Sequence, residues 1–193
     1  FRTYNTMPEL EKKALELVTG KVLDIGAGAG SHALELINRG FQVQAIDISP
    51  GAVQYMISRG ILSQRTNFFD LKNETYDTLL MLMNGIGIAG KLSNLENTLL
   101  HAKTLMNPGG KLICDSSDIK YLYEDEDGSM WIDLNTEYYG NFRFQMKYKK
   151  EKGPWFEWLY VDFDNLFKAA RKVGLNARRV YDENDHYLAE LTS

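Results

Sequence analysis

With 193 residues, 44 % of them hydrophobic and 25 % charged, this chain has material for one globular core. A net charge of −4 leaves no electrostatic footprint for nucleic acid, and no apolar run approaches the length of a membrane span. The one cysteine, Cys114, excludes an intrachain disulfide and reads as a buried, inert thiol; no charged-then-apolar leader opens the chain, so the cytoplasm is the expected compartment.

In chain order, Thr6-Met7-Pro8-Glu9 predicts a capping box between Thr6 and Glu9. It opens a helix with Leu10, Ala14, Leu17 and Val18 on one face and Gly20 beyond its end. Val22, Leu23 and Ile25 then read as a buried strand that runs into Gly26, Gly28 and Gly30 at alternate positions. A helix from about Ser31 aims its N-terminal amides at that turn, which makes a cradle for a nucleotide-like ligand. The spacing discriminates among such ligands. A dinucleotide fingerprint wants a glycine three positions after Gly28, where Ser31 stands. Asp24 would crowd a pyrophosphate but suits a ligand that carries an ammonium group and a sulfonium. No P-loop pattern is present.

Phe41 to Asp47 is a second strand pattern that ends in an acid suited to ribose hydroxyls, although a strand-end helix cap explains Asp47 as well. Ser49-Pro50 starts a helix that runs to Gly60. Thr66 to Phe69 reads as a third strand closed by Asp70, and Tyr76 to Met83 as a fourth, apolar on both faces as a central parallel strand requires. Asn84-Gly85-Ile86-Gly87 follows, then a helix over Leu92 to Met106. The Pro108-Gly109-Gly110 turn leads to a fifth strand over Lys111 to Asp115. Glu137 to Lys149 and Trp155 to Asp162 read as a hairpin around Glu151-Lys152-Gly153-Pro154. A helix from Phe163 or Asp164 to Val173 follows, and Asn176 to Tyr181 with His186 to Leu191 form a closing antiparallel pair.

From Lys21 to Ser117 these motifs, in this order, resemble the class I S-adenosylmethionine-dependent methyltransferases. The resemblance implies a Rossmann-like, doubly wound, mostly parallel seven-stranded sheet with an antiparallel last strand, plus a β-hairpin inserted after strand five. A single methyltransferase-like domain is expected: an N-terminal helix over 1–20, a cofactor-binding core over 21–117, an inserted hairpin or lid over 119–161, and a closing helix and strand pair over 163–193. Phe1 to Asn5 would lie near the mouth of the cofactor cleft. The cofactor implied is S-adenosyl-L-methionine. It would be held by Asp24, Gly26, Ala27, Gly28, Gly30, Asp47, Ile48, Phe69, Asp70, Met83 and Asn84. Gly26, Gly28 and Gly30 would admit the methionine moiety and sugar. Asp70 matches the acid that takes the adenine amino group in the family, although a turn-forming aspartate is an equal reading. Ile48 and Phe69 would flank the adenine or pack in the core.

Methyl transfer asks mainly for alignment, so no dyad is required, and the candidates for a general base are His32, Asn84, Asp115 and Asp118. His32 reads first as a helix-start residue satisfied by backbone or water. NGIG after strand four is not the D/N-P-P-Y/F tetrapeptide of enzymes that resemble adenine and glutamine N-methylases. The expected acceptor is therefore a small molecule. A protein or RNA methyltransferase, a non-catalytic cofactor-binding domain and a nicotinamide-dependent oxidoreductase are the alternatives. Tyr121, Tyr123, Trp131, Tyr138, Tyr139, Trp155, Phe156, Trp158 and Tyr160 make the insertion aromatic, as a lid over a pocket or as rings packing the hairpin. Glu124 to Asp127 with Gly128 is faintly similar to a calcium loop, but Leu134 stands where the closing Glu belongs, so a solvated acidic loop and no metal are expected. Lys147, Lys149, Lys150 and Lys152 read as protection of the hairpin edge.

Overall fold

The computed structural model describes residues 2–123, 125 and 137–193; Trp131 and most of the acidic loop, Glu124 and Glu126 to Leu134, lie outside them. Its elements are α1 (Glu9–Glu16), β1 (Val22–Ile25), α2 (Ser31–Asn38), β2 (Val43–Asp47), α3 (Pro50–Ser58), β3 (Ser63–Arg65), β4 (Tyr76–Met81), α4 (Leu95–Thr104), β5 (Met106–Ser117), β6 (Asn141–Tyr148), β7 (Glu151–Leu159), α5 (Phe163–Lys172), β8 (Asn176–Glu183) and β9 (His186–Thr192). Seven strands form one sheet in the order β3-β2-β1-β4-β5-β9-β8, and β6 pairs with β7 alone. Strands β1 to β5 run parallel, and β9 is antiparallel to both neighbours. This is the doubly wound sheet with its inserted hairpin that the sequence implies.

Strand alternation divides the apolar residues between two layers. Leu23, Ile25, Leu79, Met81, Leu112 and Cys114 pack under α4 and α5. Val22, Ala45, Leu80, Ile113 and Leu188 face α1, α2 and α3. Burial, with Asp115 beside it, pushes the Cys114 thiol's pKa far up, so it is inert packing. The order reverses at β1 and β4: the chain runs from β1 outward to β3, then crosses back to β4. A crevice opens there above the strands' C-terminal ends.

Five local expectations fail for identifiable reasons. The third strand is Ser63–Arg65, and Phe68–Asp70 is a 3-10 turn, because Asn67 accepts the Phe69 N–H and turns the chain. Thr6 does not cap α1; its hydroxyl accepts the Thr3 N–H of a preceding 3-10 turn, while Glu9 pairs with Lys12. The buried face of α1 holds Glu11 and Leu15, with Leu17 only half-buried. Pro108-Gly109-Gly110 is an irregularity within β5, where the register to β4 shifts. The β6–β7 turn is Lys149-Lys150, since Tyr148 pairs with Glu151 and Lys149 takes a positive φ of 53°. The four lysines do sit exposed around this tip. Among the described residues no helix is long and apolar enough to cross a membrane.

The hairpin is anchored at one end. Leu159 and Val161 enter the core, and Trp158 lies on Gly87, where a Cβ would come within 2.2 Å of its indole nitrogen. Beyond that, Phe142, Phe144, Phe156, Trp158 and Tyr160 contact one another. These five rings therefore pack the hairpin, whereas Tyr121 and Trp155 are exposed and Tyr138 and Tyr139 bond Asp162 and Asp118.

Candidate active site

The turn after β1 divides its glycines by task. Gly26, Gly28 and Gly30 all take positive φ, at 69°, 56° and 77°. A Cβ on Gly30 would approach Ile61 Cδ1 to 2.7 Å and Met56 Cγ to 2.9 Å, so this glycine serves close packing. At Gly26 and Gly28 a Cβ would meet no atom within 4 Å. These two line open space, with Gly26 and Ala27 both donating to the Ile46 carbonyl. At the end of β2, Asp47 accepts the Gly28 N–H on Oδ2 and the Ser49 N–H on Oδ1, each at 2.8 Å. Each oxygen retains a second lone pair. Ser49, not Asp47, caps α3; Asp47 instead ties the glycine turn to the residue that caps the helix, and acceptor capacity remains. Ile48 is 68 % exposed, Phe69 40 % and Met83 61 %: three large apolar side chains left uncovered around the same crevice. His101 of α4 bonds the Phe68 carbonyl at 2.9 Å and touches both phenyl rings, which fixes the Phe69 turn. Asp70 is exposed at the end of that turn.

Beneath the cradle lies a charged chain. Asp24 is 2 % exposed, and its Oδ2 has no partner among the described residues. Burial and the charge of Asp47 raise its pKa against His32 and the Ala33 N–H. His32 bonds Glu11 Oε2 at 2.7 Å, and Arg2 meets Glu11 Oε1 at 2.7 Å. Arg2 also reaches the Met83 sulfur at 3.0 Å, which places the start of the described chain across the cleft mouth. His32 is therefore a satisfied helix-start residue. Burial opposes its charge, but the Glu11 bond and the charges of Asp24 and Glu11 outweigh that and raise its pKa. Burial likewise opposes Glu11 ionisation, and His32 and Arg2 outweigh it, so its pKa falls.

The signs define a window. A lowered Glu11 stabilises fully above its ordinary 4.5 and loses that as pH falls; a raised His32 stabilises fully below its ordinary 6.5 and loses that as pH rises. The α1–α2 link is complete between those two values. Thermal melts should show the widest stability gap between the wild type and Glu11→Gln inside this window, narrowing on both sides. A gap independent of pH would refute the pairing.

At the end of β4, Met83 and Asn84 both adopt left-handed φ, 62° and 57°, rare for side-chain-bearing residues. Asp115 holds this kink: the Asn84 N–H lies 3.0 Å from each of its oxygens. The Asn84 amide is committed, donating to the Leu159 carbonyl and accepting from Ser116. Asp118 accepts from Tyr139 and the Lys120 N–H, and so shapes the entrance to the insertion. Asp115 Oδ2 also bonds His186 Nε2 at 2.6 Å. His186 opens β9 after the two left-handed residues Asn184 and Asp185, and in register it lies diagonal to Asp115, on the same face. A cleft of about 320 Å³ opens beside it, bounded by Pro8, Glu11, Met83, Asp115, Glu183 and His186, among others; none of the hairpin's described rings lines it.

Residues 5–157 match the methyltransferase domain family. The chain belongs to that family. A solved S-adenosylmethionine-dependent methyltransferase from Bacteroides fragilis, in complex with S-adenosyl-L-homocysteine, is 46 % identical with a TM-score of 0.90, covering 96 % of this chain and 77 % of that one. A Clostridium acetobutylicum S-adenosylmethionine-dependent methyltransferase shares the fold at 14 % identity and a TM-score of 0.65, covering 92 % and 85 %. Demethylmenaquinone methyltransferases of two Tropheryma whipplei strains are 31 % identical over 113 residues, 54 % of this chain and 46 % of theirs. This chain thus spans about half the length of the curated relatives it matches.

S-adenosyl-L-methionine is the cofactor of this methyltransferase domain. The residues present fit it: Gly26 and Gly28 leave their backbone open to close approach, Asp47 has spare acceptors, and Ile48 and Phe69 offer apolar faces. Glu11, Glu183 and His186 beside the cleft escaped sequence reasoning, whereas Arg2 lies in the segment expected at its mouth. For Glu11 a signal existed, a charged residue on the apolar face of a helix. For His186 there was none, because 71 positions separate it from Asp115.

Proposed function

We propose that this methyltransferase passes a methyl group to a small-molecule acceptor seated in the cleft over the ends of β4, β5 and β9. The cleft itself carries the reading. About 320 Å³ bounded by α1, Met83 and His186 suits a metabolite-sized acceptor. The acidic overall charge supports it, as does the small-molecule acceptor for which the Tropheryma whipplei relatives are named. S-adenosylmethionine supplies a methyl group on a sulfonium, already a strong electrophile. The chain's task is alignment, worth roughly 7–11 kcal/mol when the reacting atoms are held in line. Gly26, Ala27 and Gly28 admit the methionine and sugar, and Gly30 seats the helix behind them. Asp47 accepts from the ribose hydroxyls, Ile48 and Phe69 flank the adenine, and Asp70 meets its amino group. Asp24 stands beneath as a buried acid, with Met83 and Asn84 dividing cofactor from acceptor. The committed side chains of His32, Asn84 and Asp118 position the site; Asp115 works through what it holds.

Calorimetry with S-adenosylmethionine and with NAD, followed by S-adenosylhomocysteine release against metabolite, protein and RNA fractions, tests this. Binding of the first ligand alone and release with the metabolite fraction are expected. NAD binding refutes the cofactor roles. Release only with protein or RNA refutes the small acceptor, and binding without release from any fraction means a sensor.

A further inference from the structure

We propose that His186, oriented by Asp115, takes up the proton of an amine acceptor bound in the cleft beside it. This deepens the methyl-transfer reading above and rests on it. The ring's single hydrogen bond among the described residues runs from Nε2 to Asp115 Oδ2, at 2.6 Å. A neutral ring that donates Nε2–H to this carboxylate leaves Nδ1 as a free acceptor. The His186 side chain is 40 % exposed and lines the cleft, whereas Asp115 is 1 % exposed and anchored by Asn84. A buried, fixed carboxylate behind a solvent-facing imidazole is the arrangement that orients a proton acceptor.

The charges choose the acceptor. Facing His186 are Asp115 from β5, Glu11 from α1 and Glu183 from β8. Arg2 and His32 offset Glu11, and Tyr181 donates to Glu183. Among the described residues, Asp115 and Glu183 are left with His186 as the one titratable cation between them, so the cleft these residues form is net negative whenever that ring is neutral. Such a cleft concentrates an organic ammonium over its neutral hydroxyl counterpart. Hydrogen bonding to Asp115, with the charges of Asp115, Glu11 and Glu183, raises the His186 pKa above its ordinary value while burial works against it. The step balances: the ammonium yields one proton to Nδ1, and the freed nitrogen lone pair forms the new N–C bond. The S–C bond breaks with its electron pair going to sulfur, and the second N–H proton leaves to solvent.

Benzylamine and benzyl alcohol, which share a ring and differ in head group, are suitable probes with the protein saturated in S-adenosylhomocysteine. Binding is followed by calorimetry and by the ring resonances of labelled histidine. Benzylamine should bind about ten-fold or more tighter than the alcohol, roughly the gain of one favourable charge contact. It should shift the His186 resonances and weaken as falling pH protonates that ring. His186→Gln should keep the binding and lose this pH dependence, and Glu183→Gln should weaken amine binding alone. Equal or preferential binding of the alcohol, no binding of the amine, or a pH dependence that survives in His186→Gln would each overturn the proposal. Saturation by S-adenosylhomocysteine is measured first, so failure of the cofactor site is seen separately.

Discussion

Asp47→Ala should lose roughly a hundred-fold in affinity for S-adenosylmethionine, the largest single-residue effect expected on binding. A hydrogen bond to a charged group contributes about 1.5–3 kcal/mol, and two ribose hydroxyls at the low end come to about 3 kcal/mol. The same carboxylate steadies the Gly28 and Ser49 amides, so its removal also loosens the glycine turn and the start of α3. Asp47→Asn keeps one carbonyl acceptor and should fall between the two. Titration calorimetry reads the affinities, and a melt of each variant confirms folding. An Asp47→Ala protein that binds within three-fold of the wild type would remove the ribose from this site, a difference under about 0.7 kcal/mol.

Asp115→Ala should have the largest effect on stability among the site residues. Met83 and Asn84 hold two successive left-handed conformations, each costing about 1–2 kcal/mol. Asp115 offsets this strain by accepting the buried Asn84 N–H on both oxygens. Without it that N–H is orphaned and His186 loses its partner, for a loss of about 3 kcal/mol. In a chain of this size that is a fall in Tm of roughly 6–12 °C. Asp115→Asn retains an acceptor and should lose less than half as much. Differential scanning calorimetry compares them, and equal Tm values for Asp115→Ala and wild type would show that the kink holds itself.

The sequence carried most of the fold because parallel β/α units repeat local signals. An apolar run buried on both faces is a central parallel strand, and β4 read that way. Ser49-Pro50 marked the start of α3 because a side-chain oxygen and a fixed φ act within one turn: Ser49 accepts the Ala52 N–H. Where polar residues dominated, reading failed. Ser63–Arg65 is a short edge strand with no apolar residue, and Phe68-Phe69 looked more strand-like than it is because an Asn67 bond overrode propensity.

The amino-acid order alone determined the cradle: three glycines after a buried strand, an acid closing the next strand, and hence the class of ligand. Backbone freedom and strand-end position are local properties, written within about twenty residues. Only the tertiary structure decided which glycine packs and which faces open space, since that depends on Ile61 and Met56 arriving from elsewhere. It likewise brought Glu11 to His32, and Asp115 to Asn84 and His186. Cross-strand register and helix docking join residues whose distance along the chain carries no periodic trace.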